Sequence, residues 1–279
     1  MRGRSPWQVL MMQRPGGAEF APGAYVFPGG SVQAEDSGFG DPFRAAGARE
    51  LFEELGILLA RLPGGRFARD PDCGRLRSEL ERGARWTEAL AALGLTPALD
   101  RLVFLARWIT PRPIRRRFDT RFFVCRLPAG QTEHPQPGEV AGWTWATPVE
   151  ALERLELVFA TRGILDSVAG EPDGPGLIRK LRRRRPGPVV MPRIEEVAGG
   201  FQPVPELYHP ETLERLAGGS VRRQRQASRC HLCNLLHCIP DRQKQIQQPG
   251  QQIAPPSSMR SPTHSTFLLI WTIHMAIIR

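Results

Sequence analysis

The amino-acid sequence predicts an α/β fold, because short apolar runs alternate with segments in which apolar residues recur at helical spacing. The chain has 279 residues, of which 41% are hydrophobic, so it is long enough to bury a substantial core. It also contains 28 glycines and 27 prolines, which exclude a coiled coil or a helical bundle and favour many loops.

The first sixty residues predict two strands followed by a helix. Apolar runs that Pro or Gly bound on both sides are typical of short buried strands. The helix has Asp41 at the N-cap and Pro42 at its first position, and Gly56 weakens it near its end. The predicted strands are Trp7–Gln13 and Ala24–Phe27, and the predicted helix is Phe43–Ala60.

The same criteria predict further elements up to residue 194. The capping box formed by Thr147 and Glu150 marks the start of one of the helices. Helices are predicted at 79–93, 148–157 and 158–169, strands at 102–109, 120–127 and 143–145, a loop at 170–176, a basic run at 179–185 and a Pro-interrupted strand at 189–194.

The positive charge of the chain is concentrated in its last fifth. The formal net charge is +10, a value typical of proteins that bind nucleic acid or an anionic surface. Residues 1–220 hold 30 basic and 27 acidic residues, whereas 221–279 hold eight basic residues and one acidic residue. We therefore expect a folded domain at 1–200, a C-terminal segment or linker at 201–220, and a disordered or foreign tail at 221–279.

The cysteines and the termini indicate a reducing compartment. Five cysteines are too few for a disulfide scaffold, no signal peptide is visible, and no apolar stretch is long enough to span a bilayer. We therefore expect an intracellular, cytoplasmic protein without a membrane partner. Cys230, Cys233 and Cys238 lie beside two histidines, but a structural zinc site normally needs two separated ligand pairs, so we predict no zinc there.

Three glutamates in the first predicted helix carry the clearest chemistry. Glu50, Glu53 and Glu54 are spaced i, i+3 and i+4, so their carboxylates share one helix face and repel each other. A hard divalent cation would offset this repulsion, since Mg²⁺ takes oxygen ligands and bridges substrate phosphates. Arg49 is placed to hold one carboxylate, and Gly29-Gly30 upstream permits close backbone approach. A solvated acidic helix face is the alternative explanation.

The segment Arg49–Ile57 resembles the second half of the Nudix box, Arg-Glu-apolar-x-Glu-Glu-x-Gly-apolar. In the first half of the box a glycine precedes a glutamate by five intervening residues, and seven more lead to the arginine. That count places the first acid on Asp41, which ten intervening residues rather than five separate from Gly30, so the loop carries an insertion. Further similarity, to the branch of the Nudix hydrolases that includes the peroxisomal coenzyme A diphosphatases and bacterial relatives, is carried by 20–30, 107–111, 117–123 and 143–152.

This resemblance implies an α/β/α sandwich around a mixed sheet, with a helical insertion after the Nudix helix at about 62–100. The chain begins at what resembles the second strand of the family, which leaves open whether the first strand is missing. The implied chemistry is hydrolysis of a diphosphate linked to a nucleoside or to another group. The implied substrates are small molecules, with coenzyme A or an acyl-coenzyme A suggested by the branch.

The resemblance also implies the site residues. Glu50, Glu53 and Glu54 match the metal-binding glutamates for Mg²⁺ or Mn²⁺, and Arg49 matches the orienting arginine. The water that attacks needs a base, for which Glu50 and, as a weaker candidate, Glu139 remain open. The residues expected to contact substrate are Gly29, Gly30, Arg117, Asp119 and Arg121.

Two alternatives from other classes remain. A nucleic-acid-binding protein that acts through its basic tail would explain the charge, although the tail lacks aromatic residues interleaved with its basic ones. An inactive, truncated Nudix protein would follow if the first strand were absent. The last three residues do not form a peroxisomal targeting tripeptide, and the sequence leaves the oligomeric state open.

Overall fold

Helices cover both faces of a central mixed sheet in the computed structural model, which describes residues 6–114, 117–197, 200–220 and 267–276. This arrangement confirms the predicted α/β class and mixed sheet. Within the described residues no helix is both long enough and apolar enough to cross a membrane.

The central sheet has nine strands among the described residues. Their order is β12-β11-β8-β5-β6-β13-β1-β2, with β7 paired to β1, while β3 with β4 and β9 with β10 form separate two-stranded pairs. The strands are β1 (Gln8–Gln13), β2 (Tyr25–Val26), β3 (Ala60–Arg61), β4 (Thr96–Pro97), β5 (Val103–Ile109), β6 (Phe118–Arg126), β7 (Gly142–Ala146), β8 (Val189–Val190), β9 (Arg193–Val197), β10 (Gly200–Val204), β11 (Glu206–Tyr208), β12 (Arg215–Ser220) and β13 (Phe267–Ala276).

The helices lie in two layers and an insertion. The first helix covers one face of the sheet, the last three cover the other, and the remaining two belong to the insertion. The helices are α1 (Pro42–Leu55), α2 (Asp70–Glu81), α3 (Trp86–Ala92), α4 (Pro148–Arg154), α5 (Phe159–Val168) and α6 (Gly174–Arg183), with short 3₁₀ turns at Ala34–Phe39 and Leu99–Arg101.

The central strands are apolar on both faces because each face is covered by helices. On β1, Val9 and Met11 pack into the core beneath α4–α6, whereas Leu10 and Met12 pack into the core beneath α1. The short apolar run that predicts this strand is therefore confirmed, and its lack of apolar–polar alternation reflects burial on both sides.

Helix α1 begins where the sequence predicts and ends earlier. Asp41 is the N-cap, and its carboxylate accepts hydrogen bonds from the backbone N–H groups of Phe43 and Arg44 at 3.1 Å each. Gly56 adopts a left-handed conformation with φ of 70°, and its N–H donates to the carbonyl of Phe52 at 2.8 Å. The helix therefore stops at Leu55, because the glycine that was expected only to weaken it is its C-cap.

The predicted insertion contains two helices where the sequence predicts one. Helices α2 and α3 are separated at residues 82–85, where Gly83 has a φ of 90°. Their apolar side chains form a separate cluster that includes Leu76 and Trp86 and that also contacts Phe52 of α1. The insertion is therefore anchored to the helix that carries the glutamates.

Residues 174–183 form α6 where the sequence predicts a loop followed by a basic run. The carboxylate of Asp173 caps the helix by accepting from the N–H of Gly176 at 2.6 Å. Leu177 and Leu181, four residues apart, pack into the core under the sheet. The strand predicted at 189–194 is divided between β8 and the beginning of β9.

Ten residues of the predicted tail belong to the central sheet. Strand β13 lies between β6 and β1, antiparallel to β6 and parallel to β1. Its residues are mostly β-branched, aromatic or otherwise apolar, a composition that suits a strand. The expectation of a tail apart from the domain does not hold for these residues, and the cysteine cluster at 230–238 lies outside the described part of the chain.

Candidate active site

Arg49 of α1 lies at the centre of a network of carboxylates. Its side chain is completely buried. Nη1 donates to Glu50 at 3.0 Å and to Glu53 at 2.7 Å, while Nη2 donates to the carbonyl of Ser31 at 2.9 Å. Burial alone would lower the pKa of Arg49, but its hydrogen bonds to carboxylates and their charges outweigh this effect and raise it. Arg49 is therefore a permanent cation that fixes two of the three predicted glutamates.

Asp36 is a site residue that the sequence reasoning missed. It is fully buried, and its carboxylate accepts from Nε of Arg49 at 3.2 Å and from Nη2 at 3.1 Å. Asp36 stands five intervening residues after Gly30, so counting forward from the glycine of the box would have found it. Counting backward from Arg49 led instead to Asp41, which is the N-cap of α1 and pairs with Arg44. The additional residues therefore lie between Asp36 and Arg49.

The turn at Gly29-Gly30 touches two of the glutamates. The N–H of Gly29 donates to Oε2 of Glu54 at 2.7 Å, and Gly29 has a φ of 149°, a conformation that favours glycine. A Cβ atom on Gly30 would lie 2.3 Å from Oε1 of Glu50, so a side chain cannot be added there unless Glu50 moves. The structure thus brings both predicted glycines to the carboxylate cluster.

Burial disfavours the charged form of all three glutamates. Burial is the main cause that raises the pKa values of Glu50 and Glu53, against the opposing charge of Arg49. Burial raises the pKa of Glu54 well above its ordinary value, since the hydrogen bond from Gly29 compensates only partly. The protein alone therefore stabilises the ionised carboxylates poorly, and a bound cation would favour their charged form.

The loop at 131–141 docks on the C-terminal end of α1. The N–H of His134 donates to the carbonyl of Leu55, and the N–H of Gln136 donates to the carbonyl of Glu54, both at 2.8 Å. These bonds satisfy two carbonyls that a helix end leaves free. The loop also carries Glu139, which is exposed and whose charge contributes to the raised pKa values of Glu53 and Glu54. The second candidate base thus lies close to the cluster.

The donor set of the site fits a hard divalent cation. The three glutamates offer only oxygen ligands, which Mg²⁺ and Mn²⁺ accept. Burial raises the pKa of each carboxyl by disfavouring its charged form, and a bound cation would stabilise that form. In the described part of the chain no three acidic, histidine or cysteine side chains already surround one metal position. Two of the carboxylates accept hydrogen bonds from Arg49, and the third accepts one from the backbone N–H of Gly29. The candidate ligands are therefore close together but hydrogen-bonded to donors of the protein.

Two of the predicted substrate residues, one just before β6 and one at its beginning, lie apart from the glutamates. Arg117 donates through Nε to the carbonyl of Thr110 at 3.1 Å, and Asp119 accepts two bonds from Arg107, at 2.8 and 2.6 Å. Arg117 and Asp119 therefore already have partners within the protein. The structure does not bring these two residues to the carboxylate cluster.

Arg121 is the exception among the residues on β6. Its guanidinium carbon lies 3.2 Å from the centre of the Phe43 ring, in the first turn of α1. Its Nη1 is buried and has no hydrogen-bond partner within the described residues. Since a helix rises 1.5 Å per residue, Phe43 precedes Glu50 by about 10 Å along α1. Arg121 thus retains an unsatisfied donor near the beginning of the helix that carries the glutamates.

Comparison with known proteins finds similarity to the same family that the Nudix-box resemblance indicates. The profile of the NUDT19 Nudix domain matches residues 40–158. The chain is 33% identical to the Caenorhabditis elegans protein named "Putative nudix hydrolase 7", over 52% of this chain and 48% of that protein. It is 30% identical to the human protein named "Acyl-coenzyme A diphosphatase NUDT19", over 53% of this chain and 55% of that protein.

A solved structure supports the fold. The crystal structure of a Nudix hydrolase from Alicyclobacillus acidocaldarius superposes with a TM-score of 0.56, at 24% identity, over 65% of this chain and 96% of that one. The chain spans about half the length of the curated relatives it matches. These comparisons confirm the resemblance on which the sequence analysis relied, while the roles of individual site residues stay predictions.

Proposed function

We propose that this chain, whose residues 40–158 match the profile of the NUDT19 Nudix domain, is a metal-dependent hydrolase. The proposed reaction cleaves the diphosphate linkage of a nucleoside diphosphate derivative. The observation that carries the proposal is the cluster of Glu50, Glu53 and Glu54 around the buried Arg49. Such a cluster supplies the oxygen ligands and the uncompensated negative charge that a divalent cation needs.

The three glutamates would hold Mg²⁺ or Mn²⁺, and Arg49 would keep two of them oriented. When bound, such an ion polarises phosphoryl oxygens, neutralises developing charge and lowers the pKa of bound water. The protein contributes the rigid frame: Asp36 locks Arg49 from the opposite side, and Gly29 holds the carboxylate of Glu54 in one orientation.

The proton of the attacking water has two candidate acceptors. Glu50 is largely buried and already accepts a hydrogen bond from Arg49, an arrangement that suits a ligand. Glu139 is exposed on the docked loop, free to approach a water beside the cluster. If Glu139 is the base, Glu139→Gln lowers kcat while metal affinity is kept, whereas loss of Glu50 impairs both.

For the substrate we propose coenzyme A or an acyl-coenzyme A. The support is that the human relative is named an acyl-coenzyme A diphosphatase, together with the match to the same domain type. Arg121 is the proposed phosphate contact on β6, since its buried Nη1 lacks a partner within the described residues and a guanidinium suits phosphate. Arg117 and Asp119 would take part only if their present hydrogen bonds were exchanged.

The experiment is hydrolysis of a panel of coenzyme A and nucleoside diphosphate derivatives by the full chain, with and without Mg²⁺ or Mn²⁺. We expect metal-dependent cleavage that falls at least about 100-fold in Glu53→Gln and Glu54→Gln. Glu81→Gln is the matched control, because Glu81 is an exposed glutamate at the end of α2. Absence of metal-dependent hydrolysis, or equal rates in all three variants, would overturn the proposal.

A further inference from the structure

A cavity whose lining includes four arginines opens near the beginning of β5. Its volume is about 350 Å³, which lies within the range of small-ligand sites. The backbone of β5, the end of α6 and the first turn of α1 surround it. Among its lining residues are Arg44, Asp100, Leu181, Arg182, Arg184 and Arg185.

Three of these arginines are anchored to main-chain carbonyls at the cavity wall. Arg182 donates to the carbonyl of Asp100 at 3.2 Å, and Arg184 donates to the carbonyl of Leu105 at 3.2 Å. Arg44 donates through Nε to the carbonyl of Leu102 at 3.0 Å. A guanidinium has five N–H donors, so each anchor fixes a side chain while further donors remain.

The charges around the cavity do not cancel. Asp100 is engaged by Arg61 through two bonds, at 2.7 and 2.8 Å, and Arg44 is paired with Asp41. By contrast, no carboxylate within the described residues pairs with the three arginines at the end of α6 and beyond it, namely Arg182, Arg184 and Arg185. A recess lined by unpaired cations concentrates anions from solution.

We propose that this cavity is a binding site for a phosphate-bearing anion. Arginine forks match phosphate oxygens, and anchored guanidinium groups lose little freedom when they bind. The site is separate from the glutamates: Arg44 precedes Glu50 by six residues on α1, which is about 9 Å along the helix and more than a quarter-turn around it. It therefore does not depend on the proposed hydrolase activity.

The test is calorimetric titration of the full chain, stripped of divalent metal and held at constant ionic strength. Inorganic pyrophosphate and adenosine monophosphate are the two probes, which separate a free phosphate ion from a nucleotide as the source of the phosphate group. We expect saturable binding of at least one probe that is about tenfold weaker in Arg182→Gln and Arg185→Gln. Circular dichroism verifies that both variants are folded.

Arg183→Gln is the matched control, since Arg183 is an exposed arginine of the same run that does not line the cavity. It removes the same charge from the same segment and should leave the affinity unchanged. If all three variants bind the probe equally weakly, then the loss of affinity reflects the overall charge of the segment and not the cavity. That result, or the absence of saturable binding to the unaltered chain, would overturn the proposal.

Discussion

The replacement Arg49→Met probes the buried network at its centre. It removes the cation that binds Asp36 through two hydrogen bonds and that also reaches Glu50 and Glu53. Asp36 is fully buried, so the variant leaves an uncompensated buried carboxylate. Breaking a buried pair in this way costs about 3–5 kcal/mol of unfolding free energy. We expect a loss of this size even in the absence of metal and substrate.

Urea denaturation measures this loss as a lowered midpoint at constant m-value. The control is Arg61→Met, because Arg61 pairs with an exposed Asp100, and such surface pairs contribute about 0–1 kcal/mol. The double variant Asp36→Asn/Arg49→Met removes the stranded charge and should recover part of the stability. If Arg49→Met costs no more than Arg61→Met, then the buried network around Arg49 does not stabilise the fold.

Four further predictions concern the glycines and the titration of the site. Gly30→Ala should weaken Mn²⁺ affinity at least about tenfold, because the added Cβ would displace Glu50. Gly38→Ala is the control, since open space surrounds Gly38 and the affinity should not change. Calorimetric Mn²⁺ titration compares the two variants. Burial raises the pKa of Glu54, so Mn²⁺ affinity should fall as the pH is lowered through that raised pKa, and a pH-independent affinity would refute this. The same raised pKa means that the metal-free fold loses stability as the pH rises through it, which urea midpoints measured across pH can check. Gly163→Ala should cost about 1–3 kcal/mol, because the new Cβ would lie 2.5 Å from the Trp108 ring; Mn²⁺ affinity serves as the readout that should not change.

Local signals with a direct backbone meaning predicted the fold well. Asp41 and Pro42 predicted the start of α1, and the structure shows the corresponding cap. The short apolar run 7–13, bounded by Pro6 and Pro15, predicted β1, and the structure covers the apolar centre of this strand on both faces. The signals for these elements come from residues that are close together in the chain, so they can be recognised from the sequence alone.

Helix α6 shows where local reasoning fails. Gly174, Pro175 and Gly176 have poor helix propensity, so the segment was expected to be a loop. The cap from Asp173 and the burial of Leu177 and its helical neighbours outweigh that propensity. Tertiary packing determines the secondary structure of such segments. A short stretch of sequence does not show which distant residues the segment will pack against.

The candidate site was predictable in part. The i, i+3, i+4 spacing indicated that Glu50, Glu53 and Glu54 share one helix face. Arg49, expected to hold one carboxylate, reaches both Glu50 and Glu53 in the structure. Asp36 was missed because the inserted residues were placed between Gly30 and the acid of the box, whereas they lie between Asp36 and Arg49. The separation of Arg117 and Asp119 from the cluster could not be foreseen, because it depends on how β6 crosses beneath α1.

The position of β13 has a consequence for the order of folding. Residues 267 and 268 pair with residues 8 and 9, and Phe267–Ala276 lies between β6 and β1. The centre of the sheet therefore joins segments more than two hundred residues apart and stays incomplete until residue 276 has left the ribosome. Such distant pairing slows folding and leaves strand edges exposed meanwhile. During synthesis, the edges of β1 and β6 that later pair with β13 stay unpaired until β13 is made. The need for chaperones should therefore be highest before β13 emerges.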